Sequence, residues 1–289
     1  MNYRHHFHAG NFADVCKHAL LVQLVRGLQR KEKGFLFLDT HAGRGRYDLS
    51  AAERGDTLER KPEHPDGIGR LWGRSDLPAA LAEYATLVRE FDQQAGNSGS
   101  LPHFYPGSPR LVQMIARAQD RLALCEKHPE EFVALRDEFT FASRTSVQQI
   151  DGYTALRAML PPLEKRALVL IDPPFEEQDE FARIVAGLRD GLRRLPGGTF
   201  AVWYPLTERA RADAFLDELT MLDLPPTFMA EVTIAGEDTL LKMKGCGLAV
   251  LNPPWQIDQT VAPLLPLLAE LLAQAPGGGG HLRWLVPER

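Results

Sequence analysis

The run Ala167-Leu-Val-Leu-Ile171, followed at once by Asp172-Pro-Pro-Phe175, restricts this chain more than any other stretch. Five consecutive apolar residues leave no face for water, the pattern of a parallel strand covered by helices on both sides. Two prolines then end the strand, because neither can donate to a ladder and the residue before them is pushed into an extended conformation. A carboxylate (Asp172), a rigid turn with free carbonyls (Pro173, Pro174) and an aromatic ring (Phe175) therefore meet at the carboxyl end of a buried strand. Open α/β sheets bind their ligands at that end. The set suits recognition of a planar amine, with Asp172 and a proline carbonyl accepting its hydrogens and Phe175 stacked on the ring. It also suits a plain Pro-Pro turn.

Three further apolar runs end in acids. Residues 35–38 lead into Asp39-Thr-His-Ala-Gly-Arg-Gly45, residues 121–125 into Glu126, and residues 146–150 into Asp151-Gly152. Helices are expected over 110–118, 130–139, 179–195, 208–219 and near 263–274. Strands are expected over 199–204, 228–234 and 247–251, with a short one over 282–286. This alternation implies a mainly parallel sheet with helices on both faces, closed by an antiparallel pair at 228–234 and 247–251. Gly43 and Gly45 let backbone approach a ligand, although the loop is neither G-x-G-x-x-G nor a P-loop. His41 within it is either a ligand contact or a brace for the turn. Glu126, ending the second strand, is placed to accept both hydroxyls of a ribose. Asp151 would reach an adenine amine and the glycine loop an amino-acid tail, so the acids together fit an adenosine-containing cofactor. In Pro106-Gly-Ser-Pro109, Ser108 reads as an N-cap and Pro109 as the first helical residue, leaving a helix N-terminus open to a carboxylate.

A helix would normally follow the first strand directly. Instead residues 47–105 intervene, polar and proline-containing, with one helix over 77–91 and a Gly/Ser link over 96–100. We read them as a helical subdomain inserted into a single domain spanning 1–289. Ahead of the first strand, Asn11 caps a helix with Asp14 in its first turn. Val15, Ala19, Val22, Val25 and Leu28 form its apolar stripe, and Lys17 and His18 lie off it within reach of Asp14. The whole chain has a net charge of −5, yet residues 1–33 carry six Lys/Arg against Asp14 and Glu32. A polyanion would be met at this end. Histidines 5, 6 and 8 lack neighbouring acids or cysteines to complete a metal site, so an arm making aromatic and basic contacts fits better. Cys16, Cys125 and Cys246 have no metal-like spacing and suggest a reducing compartment. The apolar stretch 261–273 is interrupted by prolines and too short to span a membrane, and no leader-like segment opens the chain. A cytoplasmic protein is expected.

Asn252-Pro-Pro-Trp255 repeats the Asn/Asp-Pro-Pro-aromatic form after another apolar strand. If that strand belongs to the antiparallel pair, the turn falls on the opposite edge of the sheet from the cofactor, which leaves Asp172 as the functional copy.

Several motifs add a resemblance over nearly the whole chain: Tyr3-Arg-His5 with Phe7-His-Ala-Gly-Asn11, Ala13-Asp-Val15, Lys17-His18, Leu38-Asp-Thr-His-Ala-Gly43, Gly45-Arg-Tyr47, Tyr105-Pro-Gly-Ser-Pro109, Glu126, His128-Pro129, Asp151-Gly152, Ile171-Asp-Pro-Pro174, Trp203-Tyr-Pro205 and Asn252-Pro-Pro-Trp255. With them the chain resembles the RlmJ family, S-adenosylmethionine (SAM)-dependent enzymes that methylate N6 of an adenine in 23S rRNA. The resemblance implies a Rossmann-like class I methyltransferase fold, with a seven-stranded mostly parallel sheet and the helical insertion after the first strand. It also implies a monomer, SAM as cofactor, 23S rRNA as partner and no metal. By motif match, cofactor contacts fall on His18, His41, Gly43, Ser108, Glu126, Asp151, Gly152 and Asp172. Catalysis falls on Asp172, Pro173 and Phe175 with Lys17 nearby, and RNA contacts on Tyr3, Arg4 and His5. Phe175 replaces the family's usual tyrosine, so stacking survives without a hydroxyl. Guanine-N2 or glutamine methylation would use the same turn, and an RNA-binding protein that keeps SAM without transferring methyl is a further alternative. A nicotinamide oxidoreductase is disfavoured by the missing G-x-G-x-x-G.

Overall fold

Strand β6 (Ala167–Ile171) is buried along its whole length. In the computed structural model, which describes residues 8–50 and 61–288, β6 pairs in parallel with β1 (Leu36–Asp39) and β7 (Thr199–Pro205). Beyond β1 lie β4 (Arg121–Cys125) and then β5 (Thr145–Gln148), also parallel. Beyond β7 lie β9 (Gly245–Leu251), β8 (Thr227–Thr233) and β10 (Gly279–Val286), each antiparallel to its neighbour. The order β10-β8-β9-β7-β6-β1-β4-β5 reverses beside β1. The chain runs outward through β4 and β5, then returns to the other side of β1 as β6. A crevice opens at such a switch point, outside the carboxyl ends of the strands. Asp39 and Asp172 flank it.

The sheet has eight strands, not the expected seven. The short strand read near the end of the sequence extends over Gly279–Val286 and hydrogen-bonds along β8. Its first residues hide in the glycine run, where a Cβ on Gly280 would lie 2.1 Å from the Leu265 carbonyl oxygen. Both faces of the central strands are filled. Phe37, Leu168 and Leu170 pack in one apolar layer, while Leu36, Leu38, Val169 and Ile171 pack in the other. This is the two-residue alternation of a strand covered on both sides.

Helix α1 (Phe12–Gln29) starts as its sequence dictates: Asn11 Oδ1 accepts from the Asp14 N–H at 3.0 Å, and Asp14 Oδ2 accepts from the Gly10 N–H at 3.0 Å. Its expected apolar stripe is buried, but so is nearly all the rest of the helix. From Phe12 to Leu28 only Arg26 is exposed, because α1 lies between the sheet and a second layer of helices. That layer contains α3 (Ala79–Gln94), which follows the short α2 (Ile68–Leu71), and also α4 (Ser108–Ile115) and α9 (Ile257–Val261). Lys17 and His18 are thereby buried rather than solvated. The polypeptide between β1 and α4 is pinched at its ends by an antiparallel ribbon of β2 (Arg46–Asp48) and β3 (Phe104–Pro106), strands too short to leave a periodic signal. The remaining helices α5 (Pro129–Glu138), α6 (Gly152–Met159), α7 (Glu180–Arg194), α8 (Arg209–Thr220) and α10 (Leu264–Leu271) connect the other strands. Among the described residues no helix is long and apolar enough to cross a membrane.

The Asn252 turn is excluded from the crevice by strand direction, not by an edge position. β9 lies inside the sheet between β7 and β8, and it runs antiparallel, so Leu251 pairs with Phe200 at the start of β7. Asn252 therefore sits at the opposite end of the strands from Asp172. With φ +47° it occupies the left-handed region, which asparagine tolerates better than most residues. Its Nδ2 donates to the carbonyls of Pro196 at 2.7 Å and Gly198 at 3.0 Å. Asn252→Ala should lower the unfolding free energy by about 1–3 kcal/mol, measured in urea, and Asn252→Gly should lose less because it relieves the backbone. Unchanged stability in both variants would remove the structural role given to this turn.

Candidate active site

The crevice is a cavity of about 790 Å³. Lys17, His18, His41, Gly43, Ser108, Glu126, Asp151, Gly152, Asp172, Pro173 and Phe175 all line it. Tyr3, Arg4 and His5 lie outside the described residues. His8, the described member of the N-terminal histidine set, has its Nδ1 3.0 Å from Glu63 Oε2.

One half of the cavity is built around a buried ammonium. Lys17 Nζ lies 2.5 Å from Asp172 Oδ2 and 2.9 Å from Asp14 Oδ1, and its side chain is only 7% exposed. The Asp14 contact is the i,i+3 neighbour on α1, whereas Asp172 comes from the end of β6. Burial disfavours the ammonium, but the two carboxylates outweigh that and hold its pKa well above the lysine range. Asp172 Oδ1 and the Pro173 carbonyl oxygen accept no hydrogen bond among the described residues. Phe175 takes φ +51°, uncommon for an aromatic residue. Its half-buried ring is braced by Phe181 and Trp203, with centroids 5.0 and 5.7 Å away. Trp203 also lies under Lys17, whose Nζ is 5.9 Å from the ring centroid, and its buried indole N–H has no hydrogen-bond partner among the described residues.

The other half is built on the turns after β1, β4 and β5. Gly43 takes φ +60°, and a Cβ there would fall 2.4 Å from the Tyr47 hydroxyl, so the loop needs glycine. The Gly43 N–H donates to Glu126 Oε2 at 2.8 Å and the His128 N–H to Oε1 at 2.7 Å. These bonds aim the carboxylate, while burial pushes its pKa up. Thr40 Oγ1 donates to the Leu170 carbonyl at 2.9 Å. It therefore accepts from His41 Nδ1 at 2.8 Å, leaving Nε2 as the lone-pair nitrogen. Burial lowers the His41 pKa to about 4, so the ring is neutral near pH 7. His18 Nδ1 lies 2.8 Å from the Tyr105 hydroxyl, which meets the Tyr84 hydroxyl at 2.8 Å.

One expectation needs correction. Ser108 does not cap α4, for Gly107 occupies that position; its Oγ instead donates to Asp39 Oδ2 at 2.7 Å. Asp151 is already engaged by groups of the chain itself. Its Oδ1 caps α6 by accepting from the Thr154 N–H at 3.1 Å, and its Oδ2 faces Arg183 at 3.2 Å and Lys127 at 3.5 Å. Burial raises the Asp151 pKa, but that N–H and the two cations outweigh it and hold the group below the usual range. Gly152 is glycine for packing, because a Cβ would lie 2.3 Å from the Thr40 carbonyl oxygen. Sequence reasoning missed Trp203, Lys127, Arg183 and the Leu241–Met243 segment as cavity residues. Trp203 had a signal, since it opens a quoted motif at the carboxyl end of a strand. Arg183 and the segment at 241–243 had none.

Asp39 and His41 titrate in opposite senses. Burial raises the Asp39 pKa from 3.8 to about 7, so between those values the folded chain keeps a proton that the unfolded chain has released, and stability falls as pH rises. The His41 pKa drops from 6.5 to about 4. There the unfolded chain binds the extra proton, and stability rises with pH across that window. In the wild-type protein the two slopes oppose each other. Asp39→Asn removes the first, so its unfolding free energy in urea should climb more steeply than the wild-type value between pH 4 and 6.5. Parallel curves for the two proteins would show that Asp39 is already ionised in the fold.

Comparison with known proteins gives the family and the fold. The profile of the family described as "Ribosomal RNA large subunit methyltransferase D, RlmJ" matches residues 32–286. The protein named ribosomal RNA large subunit methyltransferase J of Escherichia coli K12 is 38% identical over 288 residues, covering 100% of both chains. Its namesake in Haemophilus influenzae is 36% identical, also over 100% of both chains. The crystal structure of protein LPL1258 from Legionella pneumophila superposes with a TM-score of 0.84 at 33% identity, covering 98% of this chain and 99% of that one. Its fold is thus shared along almost the entire length. The chain belongs to the RlmJ family of ribosomal RNA large-subunit methyltransferases.

Proposed function

We propose that this protein transfers a methyl group from S-adenosylmethionine to N6 of an adenine in 23S rRNA. The observation that carries the reading is the pair of open acceptors, Asp172 Oδ1 and the Pro173 carbonyl, set in a cavity whose other half has nucleoside-binding chemistry. An exocyclic amine has two hydrogens, and these acceptors match them. The motifs shared with the RlmJ family single out adenine among amine-bearing bases.

The residues of the other half fit SAM. Glu126 has both oxygens aimed by backbone N–H groups and can still accept from ribose hydroxyls. The Gly43 loop leaves no room for a side chain, which keeps backbone close to a ligand. His18, His41, Ser108, Asp151 and Gly152 complete the wall. Once bound, SAM supplies an electrophilic methyl group.

The adenine amine is a weak nucleophile because its lone pair is delocalised into the ring. Hydrogen bonds to Asp172 Oδ1 and the Pro173 carbonyl favour the pyramidal form, in which the lone pair is available. Lys17 fixes Asp172 through Oδ2, so the carboxylate does not swing away. Asp172 is also the group in place to receive the proton released from nitrogen. Alignment of two bound reactants supplies most of the acceleration, and no covalent enzyme intermediate is needed. The base must leave its stack to enter, and stacking on Phe175 returns roughly 1–3 kcal/mol of that cost. The basic N-terminal arm with Tyr3, Arg4 and His5 would meet the RNA. Residues 47–105 form the inserted helical subdomain of a single domain in this reading. The protein acts as a cytoplasmic monomer, and its three buried free cysteines are consistent with a reducing compartment.

Protein-free 23S rRNA incubated with labelled SAM should yield label in N6-methyladenosine after digestion to nucleosides. Asp172→Ala should lower transfer by at least about a hundredfold while leaving SAM affinity nearly unchanged. Label in N2-methylguanosine, or full activity in the variant, would overturn the assignment.

A further inference from the structure

Among the described residues lining the cavity, most cations are already committed. Lys17 is held by Asp14 and Asp172, and Lys127 and Arg183 by Asp151. Lys61 and Lys242 differ. Both line the cavity, both are exposed, and neither forms an ion pair among the described residues. An exposed residue that also lines a cavity stands at its mouth. The two arrive from unrelated parts of the chain: Lys61 from the segment before α2, Lys242 from the loop between β8 and β9.

Their backbones are braced. Glu63, two residues after Lys61, accepts from Asn11 Nδ2 at 2.9 Å and so ties that segment to the start of α1. Leu241 and Met243 flank Lys242 and pack against the core. The Thr239 hydroxyl donates to the Gly236 carbonyl at 3.0 Å, and Lys244 Nζ donates to the Glu237 carbonyl, closing the loop on itself. The turn after Phe175 has the opposite charge, with Glu176, Glu177 and Asp179 all exposed. A phosphate is repelled there and attracted to the two lysines.

We propose that Lys61 and Lys242 hold the RNA phosphates flanking the methylated nucleotide. This rests on the reading above, that a nucleotide of RNA turns its base into this cavity. When a base leaves its stack, its sugar-phosphate backbone remains outside the pocket. Lysines not spent on carboxylates are suitable point charges for those phosphates.

The test is a salt titration of protein-free 23S rRNA binding, with separate measurement of SAM affinity and of N6-methyladenosine formation. Each of Lys61→Ala and Lys242→Ala should weaken RNA binding several-fold and reduce the slope of log affinity against log salt by about 0.7 to 1, with the double variant losing about twice that. SAM affinity should not move, since neither lysine is among the residues assigned to the cofactor. An unchanged salt slope in both variants overturns the proposal, because loss of mere loop packing would not alter the number of phosphates neutralised. A wild-type protein that binds the RNA but forms no N6-methyladenosine would overturn the adenine reading alone, and the slopes would still decide the lysines. A wild-type protein that binds no RNA overturns both.

Discussion

The ammonium of Lys17, enclosed between Asp14 and Asp172, is the contact on which the catalytic half of this structure depends. It joins the first turn of α1 to the end of β6, elements 155 residues apart. A buried charge pair is not itself a source of much stability, but removing one partner leaves an uncompensated charge and costs about 3–5 kcal/mol. The site is therefore specified rather than merely stabilised. Asp172 cannot take another rotamer without abandoning Lys17, and the buried Lys17 is itself held between two carboxylates. This explains why a helix preceding the sheet, in a region that could pass for a basic surface arm, is packed as core. Its burial converts two sequence-distant charges into a fixed carboxylate at the switch point.

The surroundings of that carboxylate are arranged by the same economy. Phe175 holds φ +51° and is supported by Phe181 and Trp203, so its ring position is set by packing and not by the turn alone. Backbone held outside the common regions costs about 1–3 kcal/mol and persists only where neighbours over-determine it. Across the cavity, Glu126 is oriented by two N–H groups and Asp39 by Ser108 and the His41 N–H. Burial keeps a substantial share of Asp39 protonated near pH 7, which limits the negative charge gathered around Lys17. A neutral His41 adds no positive charge beside it.

Much of this was legible in the sequence, for identifiable reasons. Uninterrupted apolar runs ending in acids located β1, β4 and β6, because a strand buried on both faces leaves little choice of composition. Asn11 and Asp14 marked the start of α1 because caps are local. What escaped was set by tertiary packing. The exposed face expected on α1 is covered by α3, α4 and α9, which the 3.6-residue period of α1 cannot register. Ser108 looks like a cap because its neighbours fit that motif, yet its hydroxyl is claimed by Asp39, far away in sequence. The partners of Asp151 were not anticipated: Lys127 sits unremarked between the quoted Glu126 and His128, and Arg183 in a stretch with no motif. The last strand was legible only over 282–286, because its first residues lie in a glycine run that the close approach of Leu265 requires and no strand pattern marks.

Two turns with the form Asn/Asp-Pro-Pro-aromatic show why local sequence alone could not assign the chemistry. Asp172 and Asn252 each follow a fully buried apolar strand, and each precedes a proline pair and a ring. They differ in the direction of the strand before them. β6 runs with its parallel neighbours and delivers Asp172 to the crevice, where Lys17 waits on α1. β9 runs against β7 and delivers Asn252 to the far end, where its amide is consumed by the carbonyls of Pro196 and Gly198. An amide can make those two bonds because it carries two donors, whereas a carboxylate has none to give. The residue type at each turn thus follows from what the strand's direction places beside it.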